Sequence, residues 1–111
     1  MLSLPSRLWV WRGAADLRKS FDGLSALARA QMGKDPLSGE GFVFFNRRRT
    51  LVKILFFERG GYWVCAKRLE LGRFQAVERE ELRAAELSMV LSGLDFPAPR
   101  ERRWWAPAAA T

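Results

Sequence analysis

Asp16, Asp22, Asp35 and Glu40 are the acidic side chains best suited to hold a divalent ion, as nucleases and transposases require. Their sequence context gives them plainer work. Asp16 and Asp35 sit beside turn-forming residues, and Asp35-Pro36 starts a bend. The chain has no histidine, which removes the commonest general base and the commonest metal ligand together. Its one cysteine, Cys65, excludes an intrachain disulfide, a thiolate cluster and a Cys–His pair. Tyr62 lies beside Trp63 in a strand-like run and reads as packing. No serine stands in a nucleophile elbow, and Gly60-Gly61 lacks the spacing and lysine of a phosphate loop. The expectation is a protein that is not an enzyme and uses no metal or cofactor.

The basic residues carry the other candidate chemistry. Fifteen arginines and four lysines against twelve acids give a net charge of +7 in 111 residues. Guanidinium groups bind phosphate through two parallel hydrogen bonds and stack on flat rings, so the bias points to an acidic partner, with nucleic acid first. The charge is uneven. Residues 41–75 hold eight basic side chains and two acidic ones, a balance of +6, whereas residues 76–111 balance at −1. An arginine-rich genome would produce the same overall bias.

That middle third reads as strands. Phe42–Phe45, Leu51–Phe57 and Tyr62–Lys67 are rich in β-branched and aromatic residues, separated by Arg47-Arg48-Arg49-Thr50 and Arg59-Gly60-Gly61. Gly72 marks a further turn before Arg73–Val77, giving an antiparallel meander of four strands, and Leu8–Trp11 reads as one more strand. A helix capped by Ser20 runs to about Met32, with Phe21, Leu24, Leu27 and Ala28 on one face and Gly33 ending it. A second helix ends at Gly93; residues 78–83 are either its first turns or a short strand. The fold class is therefore α+β: one domain over residues 1–96, an antiparallel meander of four to five strands with two flanking helices. Residues 97–111, rich in Pro, Ala and Arg, are expected to form a flexible tail.

The meander brings the cations together. The Arg47-Arg48-Arg49 turn, Lys53 at the start of its strand, Lys67-Arg68 at the end of the next, and Arg73 beyond all fall at one end of the sheet, with Glu70 the acid among them. Such a cluster suits backbone phosphates. Lys53 shares a strand face with Leu51, Leu55 and Phe57, so either its stem reaches to the sheet edge or that face is not the core. In the tail, Trp104-Trp105 beside Arg102-Arg103 would stack on bases, anchor in a partner's pocket, or fold back on the domain. Met1–Arg7 lacks a basic start followed by an apolar run, and Lys53 breaks the longest apolar stretch. A soluble, cytoplasmic protein without a membrane span is expected.

The run Asp16-Leu17-Arg18-Lys19-Ser20-Phe21-Asp22-Gly23-Leu24 followed by Asp35-Pro36-Leu37-Ser38-Gly39 resembles the TnpB-type accessory proteins of the IS sixty-six group of insertion sequences. Phe42-Val43-Phe44 leading to Asn46-Arg47, then Lys53-Ile54-Leu55, Lys67-Arg68-Leu69-Glu70, Gly72-Arg73-Phe74 and Leu91-Ser92-Gly93-Leu94-Asp95 extend the similarity over residues 4–96. Ser20 replaces a usual glycine, Glu58 replaces an aspartate, and the segment after Val77 is short. The resemblance implies a non-catalytic role in transposition beside a separate transposase.

Two functions follow as expectations. In the first, Arg47, Arg48, Arg49, Lys53, Lys67, Arg68 and Arg73 contact DNA of the transposon ends or target. In the second, the protein is an adaptor with little DNA contact, meeting the transposase through Asp16, Arg18, Lys19, Trp104 and Trp105. A nuclease built on Asp16, Asp22 or Asp35 is a remote third. Pairing of exposed strand edges into a homo-oligomer is left open by the sequence.

Overall fold

The computed structural model describes residues 3–93, so Trp104, Trp105 and the rest of the expected tail lie outside the described residues. Five strands and two helices follow in the order β1 (Arg7–Val10), α1 (Phe21–Ala30), β2 (Gly41–Phe45), β3 (Leu51–Glu58), β4 (Gly61–Arg68), β5 (Glu81–Arg83) and α2 (Ala84–Leu91). They build one five-stranded sheet in the spatial order β4-β3-β2-β1-β5. The α+β class with two helices holds.

The β2–β3–β4 meander forms as the sequence suggests, because both of its connections are local. Arg59 and Gly60 adopt φ of 50° and 85°, and Glu58 pairs with Gly61, so the second hairpin closes through a two-residue turn with both central residues left-handed. That twist matches the twist of the flanking strands. The first hairpin closes through Asn46. Its side-chain carbonyl accepts the N–H groups of Thr50 at 2.9 Å and Leu51 at 3.0 Å, and its amide donates to the Thr50 hydroxyl at 3.1 Å.

Two expectations are corrected. The sheet is mixed: β1 runs parallel to β2, in the register Leu8 with Gly41 and Val10 with Val43. Parallel neighbours need a long crossover, and residues 11–40, carrying α1, supply it. The expected fourth meander strand at Arg73–Val77 is not a strand. Residues 81–83 form β5 instead, antiparallel to β1, and this settles residues 78–83 against a helical start. Segment 73–77 is held elsewhere, because Phe74 is buried edge-on against Phe45 at 5.7 Å between ring centroids.

Both faces of the sheet are covered. Val43, Phe45, Val52, Ile54 and Phe56 pack with Leu82, Leu87 and Val90 on the α2 side, while Phe42, Phe44 and Leu55 pack with Leu17, Leu24 and Ala28 on the α1 side. β2, central between them, is buried along its whole length, which explains why it reads as a continuous apolar run without alternation. Each buried Phe contributes roughly 1.5–3 kcal/mol relative to exposure. On α1, Leu24 and Ala28 face the core as the stripe predicts, whereas Phe21 is exposed. Ser20 stands at the N-cap position, but its side chain makes no capping bond. Gly33, at φ 67°, turns the chain so that Lys34 N–H reaches the Ala28 carbonyl. Among the described residues no helix is long and apolar enough to cross a membrane.

Candidate nucleic-acid interface

The end of the sheet at which β2 gives way to β3 gathers the expected cations. The pairing of Leu51 with Arg68 places the end of β4 beside the Asn46–Thr50 turn, and Leu69 N–H donates to the Thr50 carbonyl at 2.8 Å. The chain then returns so that Phe74 N–H donates to the Arg49 carbonyl at 2.7 Å, while Arg49 Nε donates to the Phe74 carbonyl at 2.9 Å. Arg73 is thereby tied to the arginine turn although it belongs to no strand.

The seven cations are not equivalent. Arg47, Arg48 and Arg73 are exposed, and among the described residues their guanidinium groups make no hydrogen bond or ion pair. Arg49 is half-buried and already commits its Nε to Phe74. Arg68 is paired with Glu70 at 3.0 Å in an exposed bridge. Lys67 leaves toward α2 and donates to the Leu91 carbonyl at 2.8 Å, adding a positive charge at that helix's C-terminal end. Lys53 resolves the two alternatives open to it. Its face does carry core, with Leu55 buried beside it, and its stem reaches out so that Nζ donates to the Lys19 carbonyl at 3.0 Å.

That bond draws the residues expected to meet a partner to the same end. The segment after β1 runs along β2, with Trp11 N–H on the Val43 carbonyl at 2.9 Å and Ala15 N–H on the Phe45 carbonyl at 3.0 Å. Asp16, Arg18 and Lys19 follow directly. Arg18 grips Asp16 through Nε at 2.9 Å and Nη2 at 2.8 Å, and donates its backbone N–H as well. These bonds hold the Asp16 carboxyl well below the usual carboxylate range.

Other acids are committed to the fold. Asp35 accepts Leu37 N–H at 2.9 Å. Glu40 accepts Trp9 Nε1 at 2.9 Å and meets Arg7 at 3.5 Å. Glu86 accepts the backbone N–H of Arg83 at 2.8 Å and Arg79 Nη1 at 3.1 Å, which lower its pKa. Among the described residues no three His, Cys, Asp or Glu side chains gather as metal ligands would.

A cleft of about 590 Å³ opens at this end, beyond the last residues of the parallel pair β1 and β2. Trp11, Arg12, Lys34, Arg47, Arg49 and Glu80 are among the residues lining it. Sequence reasoning misses Arg12, Lys34, Trp9 and Trp11. Alternation along Leu8–Trp11 is the available signal, since it sets Trp9 and Trp11 on one face and Leu8 and Val10 on the other.

Residues 6–101 match the family model described as IS66 Orf2 like protein. The chain belongs to the IS66 Orf2-like family. Two proteins of Sinorhizobium fredii (strain NBRC 101917 / NGR234) are similar to this member. Uncharacterized protein y4hO is 33% identical over 105 residues, covering 91% of this chain and 90% of its own. Uncharacterized protein y4jC is 30% identical over 94 residues, covering 81% and 80%. No solved structure matches this IS66 Orf2-like protein. Membership gives it a transposition-associated, accessory role.

Proposed function

We propose that this IS66 Orf2-like protein binds DNA through the arginine end of its sheet while a separate transposase carries the strand-transfer chemistry. The observation that supports this most is that Arg47, Arg48 and Arg73 have no partner among the described residues, while the two hydrogen bonds between Arg49 and Phe74 hold them together. Three like charges on one tip repel each other in the free protein, and phosphates relieve that repulsion while releasing counterions. Lys67, Arg68 and Lys53 add a positive surround in which each side chain already makes one hydrogen bond within the protein.

Fluorescence anisotropy on a labelled transposon-end duplex over a salt series tests this. Replacing Arg47, Arg48 and Arg73 together by Ala should reduce the log–log slope by about 2.7, at ~0.9 for each phosphate no longer neutralised. A wild-type protein that fails to bind duplex at low salt, or a triple variant that binds as tightly as wild type, overturns the reading.

The second reading, an adaptor docked on the transposase, draws support from Asp16 and Arg18. Their pairing leaves Arg18 91% exposed beside Lys19 at the same end of the sheet, so a fixed pattern of charge faces outward. Co-purification with the transposase, lost on Arg18→Glu while duplex affinity persists, would favour that reading.

A further inference from the structure

The cleft beside the arginine turn has a composition that simple phosphate binding leaves unused. Its volume of about 590 Å³ is within the range of sites that take small organic ligands, roughly 300–1,000 Å³. Two tryptophans line it, and they differ in what they have free. Trp9 is occupied: Lys34 Nζ sits 3.6 Å from the centroid of its ring, the Arg7 guanidinium 4.7 Å, and its indole N–H is bonded to Glu40. Trp11 is not. Its indole nitrogen is sheltered from solvent and has no acceptor among the described residues. Gly13 passes close over that side of the ring, where a Cβ would stand 3.3 Å from the nitrogen, so the lack of a side chain there lets the chain lie against the indole.

Cations border this aromatic site. Arg47 and Arg49 reach it from the turn, Lys34 from the segment after α1, and Arg12 from the segment just after β1, where Glu78 balances it only loosely at 3.7 Å. Glu80 adds a carboxylate acceptor. A flat ring, an indole donor lacking an acceptor, carboxylate acceptors and guanidinium groups match the parts of a nucleotide in turn: the π-face of a base, its ring and carbonyl acceptors, its exocyclic amine and its phosphate.

We propose that the cleft takes one unpaired nucleotide of a DNA strand, with the base lodged against Trp11 and the phosphate between Arg12 and Arg47. A stacked, paired base cannot enter, because its faces and edge are already satisfied within the helix. The protein therefore distinguishes DNA carrying an unpaired position from perfect duplex. This rests on the reading of Arg47, Arg48 and Arg73 as phosphate contacts and adds to it a preference for DNA structure.

The experiment compares three labelled duplexes of equal length: fully paired, with a single-nucleotide bulge, and with an abasic bulge. The full-length protein should bind the bulged duplex about five- to a hundredfold tighter than the paired one, as for one stacked base, and the abasic bulge should lose that gain. Ala76→Trp places an indole in the cleft from an exposed position, so it should abolish the preference while leaving paired-duplex affinity unchanged. Trp11→Leu should do the same if its thermal transition shows it folded. Equal affinity for all three duplexes, or a preference that survives both variants, overturns the nucleotide site and leaves the phosphate reading standing. Failure to bind any of the three overturns both.

Discussion

Arg49 and Phe74 hold each other by two hydrogen bonds, Phe74 N–H to the Arg49 carbonyl at 2.7 Å and Arg49 Nε to the Phe74 carbonyl at 2.9 Å. An arginine of the tip thus acts as the clasp that brings Arg73 to Arg47 and Arg48. The clasp carries backbone strain, since Arg49 sits at φ 55°.

Arg49→Ala should destabilise the domain by about 1.5–3 kcal/mol, as expected for a charge-assisted bond removed at a half-buried site. Arg49→Gly should forgo the same bond but recover about 1 kcal/mol, because glycine accepts the left-handed backbone without penalty. Urea titrations of both variants measure the difference. Equal stability of wild type and Arg49→Ala would remove the clasp from the account.

The parallel contact of β1 with β2 depends on a missing side chain. Gly41 pairs with Leu8, and a Cβ at Gly41 would stand 2.7 Å from Leu8 Cδ2 and 3.3 Å from Pro5 Cγ. Leu8 is fully buried and has no open side to move toward. Gly41→Ala should therefore cost about 1–3 kcal/mol by overpacking, seen as a lowered urea midpoint. The same change at Gly61, where nothing lies within 4 Å, should not show this cost.

Asp16 should stay ionised to lower pH than an ordinary aspartate, because the Arg18 side-chain bonds lead in favouring its charged form, followed by the Arg18 backbone N–H. With the folded pKa depressed, the contribution of this pair is complete above the unfolded value near ~3.9 and fades only as pH falls through the lower folded value. A carbon-detected NMR titration follows the carboxyl directly. Arg18→Ala should return it toward the ordinary range, and an ordinary value in the wild type would contradict the bidentate geometry.

Cys65, half-buried on β4 against the α2-side core, has its thiol pKa raised by burial. Its thiolate fraction near neutral pH is therefore reduced, and reaction with a disulfide reagent should be slower in the folded protein than in the urea-denatured chain. Equal rates would mean that β4 opens readily from the sheet.

The features legible in the amino-acid order are local ones. The hairpins of β2, β3 and β4 close over turns of a few residues, so Asn46, Arg59-Gly60 and the aromatic runs suffice to place them, and the arginine cluster follows from counting strand directions. Gly33 and Gly93, both at positive φ, likewise mark where the helices stop. Lys53 shows the limit of such reasoning, since alternation identifies its face but not the Lys19 carbonyl that receives it. The positions of β1 and β5 come from long-range packing instead. Leu8 meets Gly41 and Leu82, residues distant in the chain, and no turn chemistry encodes either choice. The reason is burial: β1 enters beside β2 because that site covers Leu8 and Val10 with α2 and gives Trp9 and Trp11 the α1 side. Residues 73–77 meet strand-like requirements locally, yet in the fold Phe74 is buried edge-on against Phe45 and the segment joins no sheet. That choice brings Arg73 to the arginine turn, and the placement of β1 opens the cleft beside it.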